Sequence, residues 1–224
     1  MSVKIISVLE NILQANDQVA AENRARLHAA GVFAINMMSS PGAGKTSLIE
    51  QTLLALAPQV RIGMINGDTT AASMDAERGA QAGAMAVHVN TGGNCHLEAH
   101  MVRQALSALD LSALDLIIVE NVGNLVCPSG WDLGVHARVV VASVTEGDDK
   151  PYKYPSMYRV ADVLVLNKID LLPYLHFNLD YYLQGVRLLN PEVQVFQVSC
   201  RTGEGIAEWA GWLRERAIGA QRAS

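Results

Sequence analysis

A glycine-rich segment between a predicted strand and a predicted helix has the residue types that bind phosphate. It reads Ser39-Ser40-Pro41-Gly42-Ala43-Gly44-Lys45-Thr46. Small residues let successive backbone N–H groups surround a phosphate, a lysine reaches the β- and γ-phosphate oxygens, and a threonine hydroxyl can bind Mg²⁺. One position departs from G-x-x-x-x-G-K-[ST], because Ser39 replaces the first glycine. The segment predicts a phosphate loop in which residues from Ser40 to Ser47 bind the nucleotide.

A tetrapeptide further along the chain has the groups that select guanine. It is Asn167-Lys168-Ile169-Asp170, directly after the apolar run Val163 to Leu166. The Asp170 carboxylate can accept hydrogen bonds from guanine N1 and N2, while Asn167 bonds the base and Lys168 covers the ring. Adenine has no matching pair of donors. The ligands expected from these two motifs are GTP and GDP.

A third segment is expected to complete the base pocket. It is Ser199-Cys200-Arg201, which follows the next predicted strand. We expect Cys200 to contact the base through its backbone and not to bind metal.

Three carboxylates at predicted strand ends or in the following loops are candidates for binding Mg²⁺ together with Thr46. They are Asp68, Asp75 and Glu120. Magnesium keeps several waters and takes few carboxylates, so one or two of the three would suffice. Asp75 could instead belong to a polar helix start, and Glu120 could be a solvated loop charge. Gly123 follows Glu120 in a variant of the D-x-x-G segment, whose glycine N–H senses a γ-phosphate. The predicted catalytic residues are Lys45, Thr46, Asp75, Glu120 and Gly123.

Cysteines and histidines with the chemistry of a soft-metal site lie close to that glycine. Cys127 is four residues after Gly123, and Cys95, His96 and His100 fall at the start of a helix predicted over His96 to Leu109. The spacing predicts that both histidines share one helix face and that the helix dipole favours a Cys95 thiolate. Such ligands suit Ni²⁺ or Zn²⁺, and two copies could complete a site across a dimer axis. Buried cysteines and a surface histidine are the alternative. Surface or packing roles are expected for the remaining histidines, His28, His88, His136 and His176.

Apolar strands alternate with helical patterns and would position these motifs. The predicted strands are Val32 to Met38, Val60 to Ile65, Ala84 to Val89, Leu116 to Val119, Val139 to Val144, Val163 to Leu166 and Val193 to Val198. Such an order predicts an α/β fold with a mostly parallel sheet covered by helices on both faces, and ligands at the carboxyl ends of the strands. Residues 1–30 are expected to form an N-terminal amphipathic helix, and residues 31–224 a single P-loop domain.

Composition restricts the partners and the compartment. The net charge of −5 gives no basic field for nucleic acid, and no apolar run reaches the roughly 18 residues of a membrane span. The first 30 residues are too polar for a signal peptide, so we expect a cytoplasmic protein. Three cysteines in a reducing compartment would stay as thiols, free for metal or redox chemistry.

Taken together, these motifs resemble the HypB family, P-loop GTPases that help load nickel into [NiFe] hydrogenase. The resemblance rests on the motifs above and on Asp75-Ala76-Glu77-Arg78, Cys95-His96-Leu97-Glu98-Ala99, Glu120 to Pro128 and Glu146 to Pro151. It implies slow GTP hydrolysis, a GTP-dependent homodimer, the nickel-delivering partner HypA and the hydrogenase large subunit. It also implies metal ligands at Cys95, His96 and Cys127, with His100 less certain, and contacts across the dimer from the Lys150-Pro151-Tyr152-Lys153 loop.

Other functions make different demands on the sequence. Many HypB relatives carry an N-terminal cysteine or histidine motif, whereas Met1 to Ala30 contains only His28, so nickel storage there is not expected. A urease-type nickel GTPase would have histidine after Cys127-Pro128, where this chain has Ser129. A small-molecule kinase would not need the segment from Asn167 to Asp170. A zinc-stabilised scaffold would bind nucleotide without using it.

Overall fold

Seven parallel strands form one sheet in the part of the chain that the computed structural model describes, residues 8–57, 59–70 and 74–223. The strand order is β3-β2-β4-β1-β5-β6-β7. The strands are β1 Phe33–Ser39, β2 Ile62–Asp68, β3 Met85–Asn90, β4 Leu116–Glu120, β5 Ala137–Ser143, β6 Val163–Asn167 and β7 Gln194–Gln197. The α/β fold expected from the sequence is therefore confirmed.

Helices cover both faces of the sheet. They are α1 Val8–Ala29, α2 Lys45–Leu56, α3 Met74–Gln81, α4 Ala99–Ser107, α5 Lys150–Lys153, α6 Pro155–Arg159, α7 Leu179–Leu189 and α8 Ile206–Ala223. On one face α2 and α8 pack over the sheet, with Trp209 fully buried among the apolar side chains. On the other face α1 and α4 cover one half of the sheet, and α6 and α7 cover the other half. None of the described helices is long and apolar enough to cross a bilayer.

The central strands are buried on both faces, which explains their continuous apolar sequences. All residues of β1 and β4 are buried, including Ile35, Met37 and Ile118 with no exposed area. Parallel strands covered by helices on both sides have no solvent face on which to alternate polar residues. Their carboxyl ends meet at one edge, where the predicted phosphate, base and metal residues follow β1, β4 and β6.

Buried asparagines help to hold helix α1, in addition to apolar side chains such as Leu27. Ile12 is 46% exposed, whereas Asn16, Ala20 and Asn23 are buried. Asn16 Oδ1 accepts a hydrogen bond from the Ala99 backbone N–H at 2.8 Å, and Asn23 Nδ2 donates to the Ala99 carbonyl at 2.9 Å. Hydrophobicity alone could not identify these amides as packing contacts of the helix. The first seven residues of the predicted helix lie outside the described part of the chain.

Two local predictions were wrong. The helix expected to start at His96 begins at Ala99, because Glu98 is extended (φ −111°, ψ 159°) and the Leu97 N–H donates to Asn121 Oδ1 at 3.0 Å. The segment from Lys150 to Lys153, expected to be a loop, instead forms α5, and α6 begins at Pro155. Proline lies at the beginning of both helices, where its missing N–H costs no hydrogen bond.

Candidate functional site

The phosphate loop connects β1 to α2 with the backbone shape that the sequence predicted. Gly42 (φ 79°) and Gly44 (φ 96°) lie in the left-handed region, and α2 begins directly at Lys45. Left-handed backbone costs an L side chain energy that glycine avoids. A Cβ at Gly44 would overlap Asn167 Nδ2, so this position also needs the small residue for space. The helix start directs N–H groups towards the phosphate position.

A buried carboxylate lies against the helix end of this loop. Glu120 is 2% exposed, and its Oε1 accepts a hydrogen bond from Thr46 Oγ1 at 2.8 Å. Lys45 Nζ is 3.5 Å from the same oxygen. The hydroxyl and the carboxylate are hard oxygen donors of the kind that Mg²⁺ prefers, so these residues fit the cation expected from the sequence.

The other two carboxylates expected to bind Mg²⁺ have different surroundings. Asp75 lies in α3, not in a loop, and its Oδ1 is 3.7 Å from Arg78, which also pairs with Glu50 at 2.6 Å. Asp68 Oδ1 accepts a hydrogen bond from the Thr70 N–H at 2.9 Å. Burial would raise the pKa of Asp68, but the hydrogen bonds from Thr70 and Thr69 outweigh it and lower the pKa. Asp68 and Asp75 therefore make their contacts with Thr70 and Arg78, and not with Thr46 and Glu120.

The predicted guanine motif lies directly against the phosphate loop. Asn167 Nδ2 donates to the Ala43 carbonyl at 3.0 Å, and Lys168 Nζ donates to the Gly42 carbonyl at 2.7 Å. Lys168 has a φ of 63°, unusual for a residue with a side chain. The predicted base and phosphate segments therefore form one hydrogen-bonded unit, although they lie more than a hundred residues apart in the sequence.

The segment expected to complete the base pocket lies against the Asn167 to Asp170 motif. Ser199 Oγ donates to Asp170 Oδ1 at 2.7 Å, and the Cys200 N–H donates to Asn167 Oδ1 at 3.3 Å. A cavity of about 320 Å³ opens between these segments and the phosphate loop. Its lining residues are Gly44, Ser47, Asn167, Lys168, Asp170, Leu171, Cys200 and Arg201. Burial raises the pKa of Cys200 to about 11, so this thiol stays protonated near neutral pH.

A second group of side chains lies beyond the loop that follows β4. Potential ligand atoms of Cys95, His96 and Cys127 all lie within 4.8 Å of one another. Cys95 Sγ is 3.8 Å from His96 Nδ1. Hydrogen bonding with Cys95, together with burial, raises the pKa of Cys127, whereas burial lowers the pKa of His96 against the opposing effect of Glu98. Two thiols and a neutral imidazole form a donor set suited to a borderline metal ion once the thiols lose their protons.

His100 is not in this group of three. It lies on α4, and its Nδ1 is 3.3 Å from Glu98 Oε2. His96 lies before the helix and stacks on Trp131, with ring centroids 4.6 Å apart. The two histidines therefore do not share one helix face. Because α4 begins at Ala99, Cys95 is not at its N-terminal end, and the helix dipole does not favour a Cys95 thiolate as expected. No local sequence pattern pointed to Trp131 as a neighbour of this group.

Asparagines that carried no sequence signal join the nucleotide loop to the Cys/His group. Asn121 Oδ1 accepts hydrogen bonds from the Leu97 and Val122 N–H groups, each at 3.0 Å. Asn124 Oδ1 accepts from the Cys127 N–H at 3.1 Å, and its Nδ2 is 3.5 Å from Cys127 Sγ. The segments that carry Cys95, His96 and Cys127 are thereby fixed to the end of β4.

Comparison with known proteins decides the family. The sequence profile described as "CobW/HypB/UreG, nucleotide-binding domain" matches residues 33–197. "Hydrogenase maturation factor HypB" of Azotobacter vinelandii is 46% identical over 213 residues, which are 95% of this chain and 70% of that protein. This chain belongs to the CobW/HypB/UreG family, among its HypB members. It therefore contains the nucleotide-binding domain that the family shares.

Solved HypB structures have the same fold. The structure of HypB from Archaeoglobus fulgidus has a TM-score of 0.85 and 40% identity, and it covers 92% of this chain and 100% of that one. The structure of HypB from Helicobacter pylori in complex with nickel has a TM-score of 0.86 and 36% identity, with 92% and 96% covered. The resemblance to HypB expected from the sequence is confirmed.

Proposed function

We propose that this HypB family member is a GTP-hydrolysing metallochaperone that assists nickel insertion into [NiFe] hydrogenase. Its nickel would be cargo, held by Cys95, His96 and Cys127 in a site whose affinity follows the bound nucleotide. Its relatives are hydrogenase maturation factors, which supports the pathway. The nickel complex of the Helicobacter pylori relative supports the cargo.

The close approach of Gly123 to the phosphate loop supports the proposed link between nucleotide and metal. Gly123 lies against the phosphate loop so closely that a Cβ there would be 3.2 Å from Pro41 Cγ and 3.3 Å from Pro41 N. The next residue, Asn124, binds the backbone of Cys127. A γ-phosphate that moves Gly123 would therefore pull on the Cys127 ligand through one hydrogen-bonded turn.

The phosphate loop residues have separate roles in the proposed hydrolysis. A bound Mg²⁺ would neutralise charge on the β- and γ-phosphates and would be held by Thr46 Oγ1, with Glu120 binding it directly or through water. Lys45, which now faces Glu120 at 3.5 Å, would turn to the phosphate oxygens. Backbone N–H groups at the start of α2 would stabilise the charge that develops on the transferred group. The sequence identifies no arginine finger or glutamine, which agrees with slow turnover.

The phosphate loop is also held from the β5 side. Ser40 Oγ donates a hydrogen bond to the Glu146 carboxylate, whose other oxygen accepts from the Ser143 N–H at 2.8 Å. This contact fixes the entrance of the loop before nucleotide binds, so less ordering is left for binding to drive.

Three protein ligands leave a coordination position for a fourth donor. In the proposed cycle GTP brings two subunits together, and their Cys95, His96 and Cys127 groups approach across the dimer axis. Helix α5, in which Lys150 Nζ lies 5.0 Å from the centroid of the Tyr154 ring, is the proposed contact with the partner subunit. HypA would deliver nickel, and the hydrogenase large subunit would receive it. Zn²⁺ fits the same donors and is the alternative occupant.

Exchange of one carboxylate for an amide tests the nucleotide assignment. Asp170→Asn should weaken GTP binding relative to xanthosine triphosphate, because the amide can donate to the oxygen at C2 of xanthine. Competition of each nucleotide against a fluorescent GDP analogue measures the preference. Asp180→Asn, at an exposed position on α7, is the matched control. Unchanged selectivity in Asp170→Asn would remove this residue from the base pocket, and phosphate transfer to an added acceptor would favour a kinase.

A further inference from the structure

Three polar side chains lie side by side across neighbouring strands next to the phosphate loop. The register pairs His88 on β3 with Asn66 on β2, and Asn66 with Glu120 on β4. Asn66 Nδ2 donates to Glu120 Oε2 at 3.0 Å, and His88 Nδ1 is 2.9 Å from Asn66 Oδ1. A hydrogen-bonded row therefore runs from a half-buried histidine to the carboxylate that binds Thr46.

The direction of each hydrogen bond in this row is fixed by chemistry. The Glu120 carboxylate can only accept while it is ionised, so Asn66 must present its NH₂ to it. The Asn66 carbonyl oxygen then faces His88, and His88 Nδ1 must carry the proton. On the other side of the ring, Nε2 is 3.1 Å from the Thr70 carbonyl oxygen, which is also an acceptor.

The orientation of the Asn66 amide matters for Glu120. If the amide turned over, its oxygen would face the buried carboxylate, and two acceptors would meet where a hydrogen bond is now made. Asn66 and Glu120 are each 2% exposed, so water has little access to replace the lost donor. The donor on His88 holds the amide in the favourable orientation, and Nε2 ties the loop after Asp68 to the same row.

We infer that His88 is a positioning residue for the phosphate and magnesium site, acting through Asn66 on Glu120. The inference rests on the proposed function, in which Glu120 and Thr46 hold Mg²⁺. It gives His88 a role other than the surface or packing role expected from the sequence. Such partners of ligating carboxylates fix the ligand geometry and with it the metal affinity.

Nuclear magnetic resonance of the histidine rings tests the geometry without any nucleotide. In the full chain labelled with ¹⁵N-histidine, with His88→Asn identifying its signals, we expect Nδ1 of His88 to carry a proton near neutral pH. A spectrum in which only Nε2 carries the proton would overturn the inference, because Asn66 would then have no donor from His88. This result does not depend on whether the protein hydrolyses GTP.

Variants test the effect on the site. His88→Phe removes both ring contacts, and we expect the Mg²⁺ concentration for half-maximal binding of a fluorescent non-hydrolysable GTP analogue to rise about three- to tenfold. His88→Asn keeps an N–H near the Nδ1 position and should restore most of the loss. His176→Phe, at an exposed histidine, is the control. Thermal melting of each variant identifies any that fail to fold.

A double-mutant cycle separates positioning from general damage. If His88 acts through Asn66, His88→Phe should have no further effect on the Mg²⁺ dependence in an Asn66→Ala background. Additive effects, or an unchanged Mg²⁺ dependence in folded His88→Phe, would overturn the inference. Failure of the wild-type chain to bind the GTP analogue would contradict the proposed function instead, and the proton on His88 Nδ1 would still be measurable.

Discussion

At the scale of single residues, two glycines of the phosphate loop have the same backbone requirement but different neighbours. Gly42 and Gly44 both have positive φ, yet a Cβ at Gly42 meets nothing within 4 Å, whereas one at Gly44 overlaps Asn167 Nδ2. Both alanine variants would strain a backbone with positive φ, but only Gly44→Ala should also displace Asn167 from the Ala43 carbonyl. We therefore expect Gly44→Ala to weaken GDP binding at least about tenfold more than Gly42→Ala does. Calorimetric titration with GDP measures the difference. Equal losses would mean that the Asn167 contact does not matter for nucleotide binding.

The three cysteines also offer an internal comparison. Cys95 and Cys127 belong to the group within 4.8 Å of His96, whereas Cys200 lies in the base pocket with a pKa of about 11. Cys95→Ser and Cys127→Ser should each weaken nickel binding by at least about tenfold, because a hydroxyl is a poor substitute for a thiolate ligand. Cys200→Ser is the matched control and should bind nickel as the wild type does. Nickel titration followed by thiolate charge-transfer absorbance checks this, and a loss in Cys200→Ser equal to that in Cys127→Ser would contradict the assignment.

The sequence predicted residues whose chemistry depends on local spacing. Lys45, Thr46 and Asp170 could be identified because their motifs are short and contiguous. Asn66 and Asn121 could not, because their role depends on which strands are neighbours and on the register between them. An asparagine has the same local signal whether it is exposed in a loop or buried between two strands.

At the scale of elements, α1 supports the start of α4, next to Cys95 and His96, through amide side chains. Asn23 Nδ2 donates to the Ala99 and Leu133 carbonyls at 2.9 and 3.0 Å. Asn23→Ala would leave both buried carbonyls without this donor and should cost about 1–3 kcal/mol of unfolding free energy. That loss corresponds to roughly 2–4 °C in Tm for each kcal/mol in a chain of this size.

Thermal unfolding checks this prediction against a neighbour on the same helix. Gln18 is exposed, so Gln18→Ala should leave Tm within about 1 °C of the wild type. A similar Tm for Asn23→Ala and Gln18→Ala would show that α1 is docked by other contacts.

The start of α4 could not be predicted from the helical spacing of residues in the sequence. His96 and His100 have helical spacing, but the N–H of Leu97 and the carbonyl of Ala99 are used by Asn121 and Asn23. These tertiary hydrogen bonds hold the chain extended before Ala99. Side chains distant in sequence thus decided the helix start and separated His96 from the helix.

At the scale of the whole molecule, the strand order places the nucleotide and metal groups at one edge of the sheet. β1 lies between β4 and β5, so the phosphate loop is flanked by the segment after Glu120 and by the segment containing Glu146. The parallel fold could be predicted because each strand is apolar and each is followed by a helix or a motif. The order of the strands could not be read from the sequence, and that order brings Gly123 against Pro41.

In the proposed function, nucleotide state and metal affinity are coupled through the segment from Gly123 to Cys127. Thermodynamic linkage requires that a nucleotide which changes metal affinity is itself bound differently when metal is present. A variant that lacks the Cys127 ligand should lose this coupling while it still binds nucleotide, because Cys127 does not line the base pocket.

The most direct measurement is a titration of Ni²⁺, and separately of Zn²⁺, into the protein held with GDP and then with a non-hydrolysable GTP analogue. We expect nickel affinity to differ by at least about fivefold between the two states, or the stoichiometry per subunit to change, and the difference to disappear in Cys127→Ser. Identical affinity and stoichiometry in both states would contradict the claim. The protein would then be a GTPase whose metal site is independent of its nucleotide.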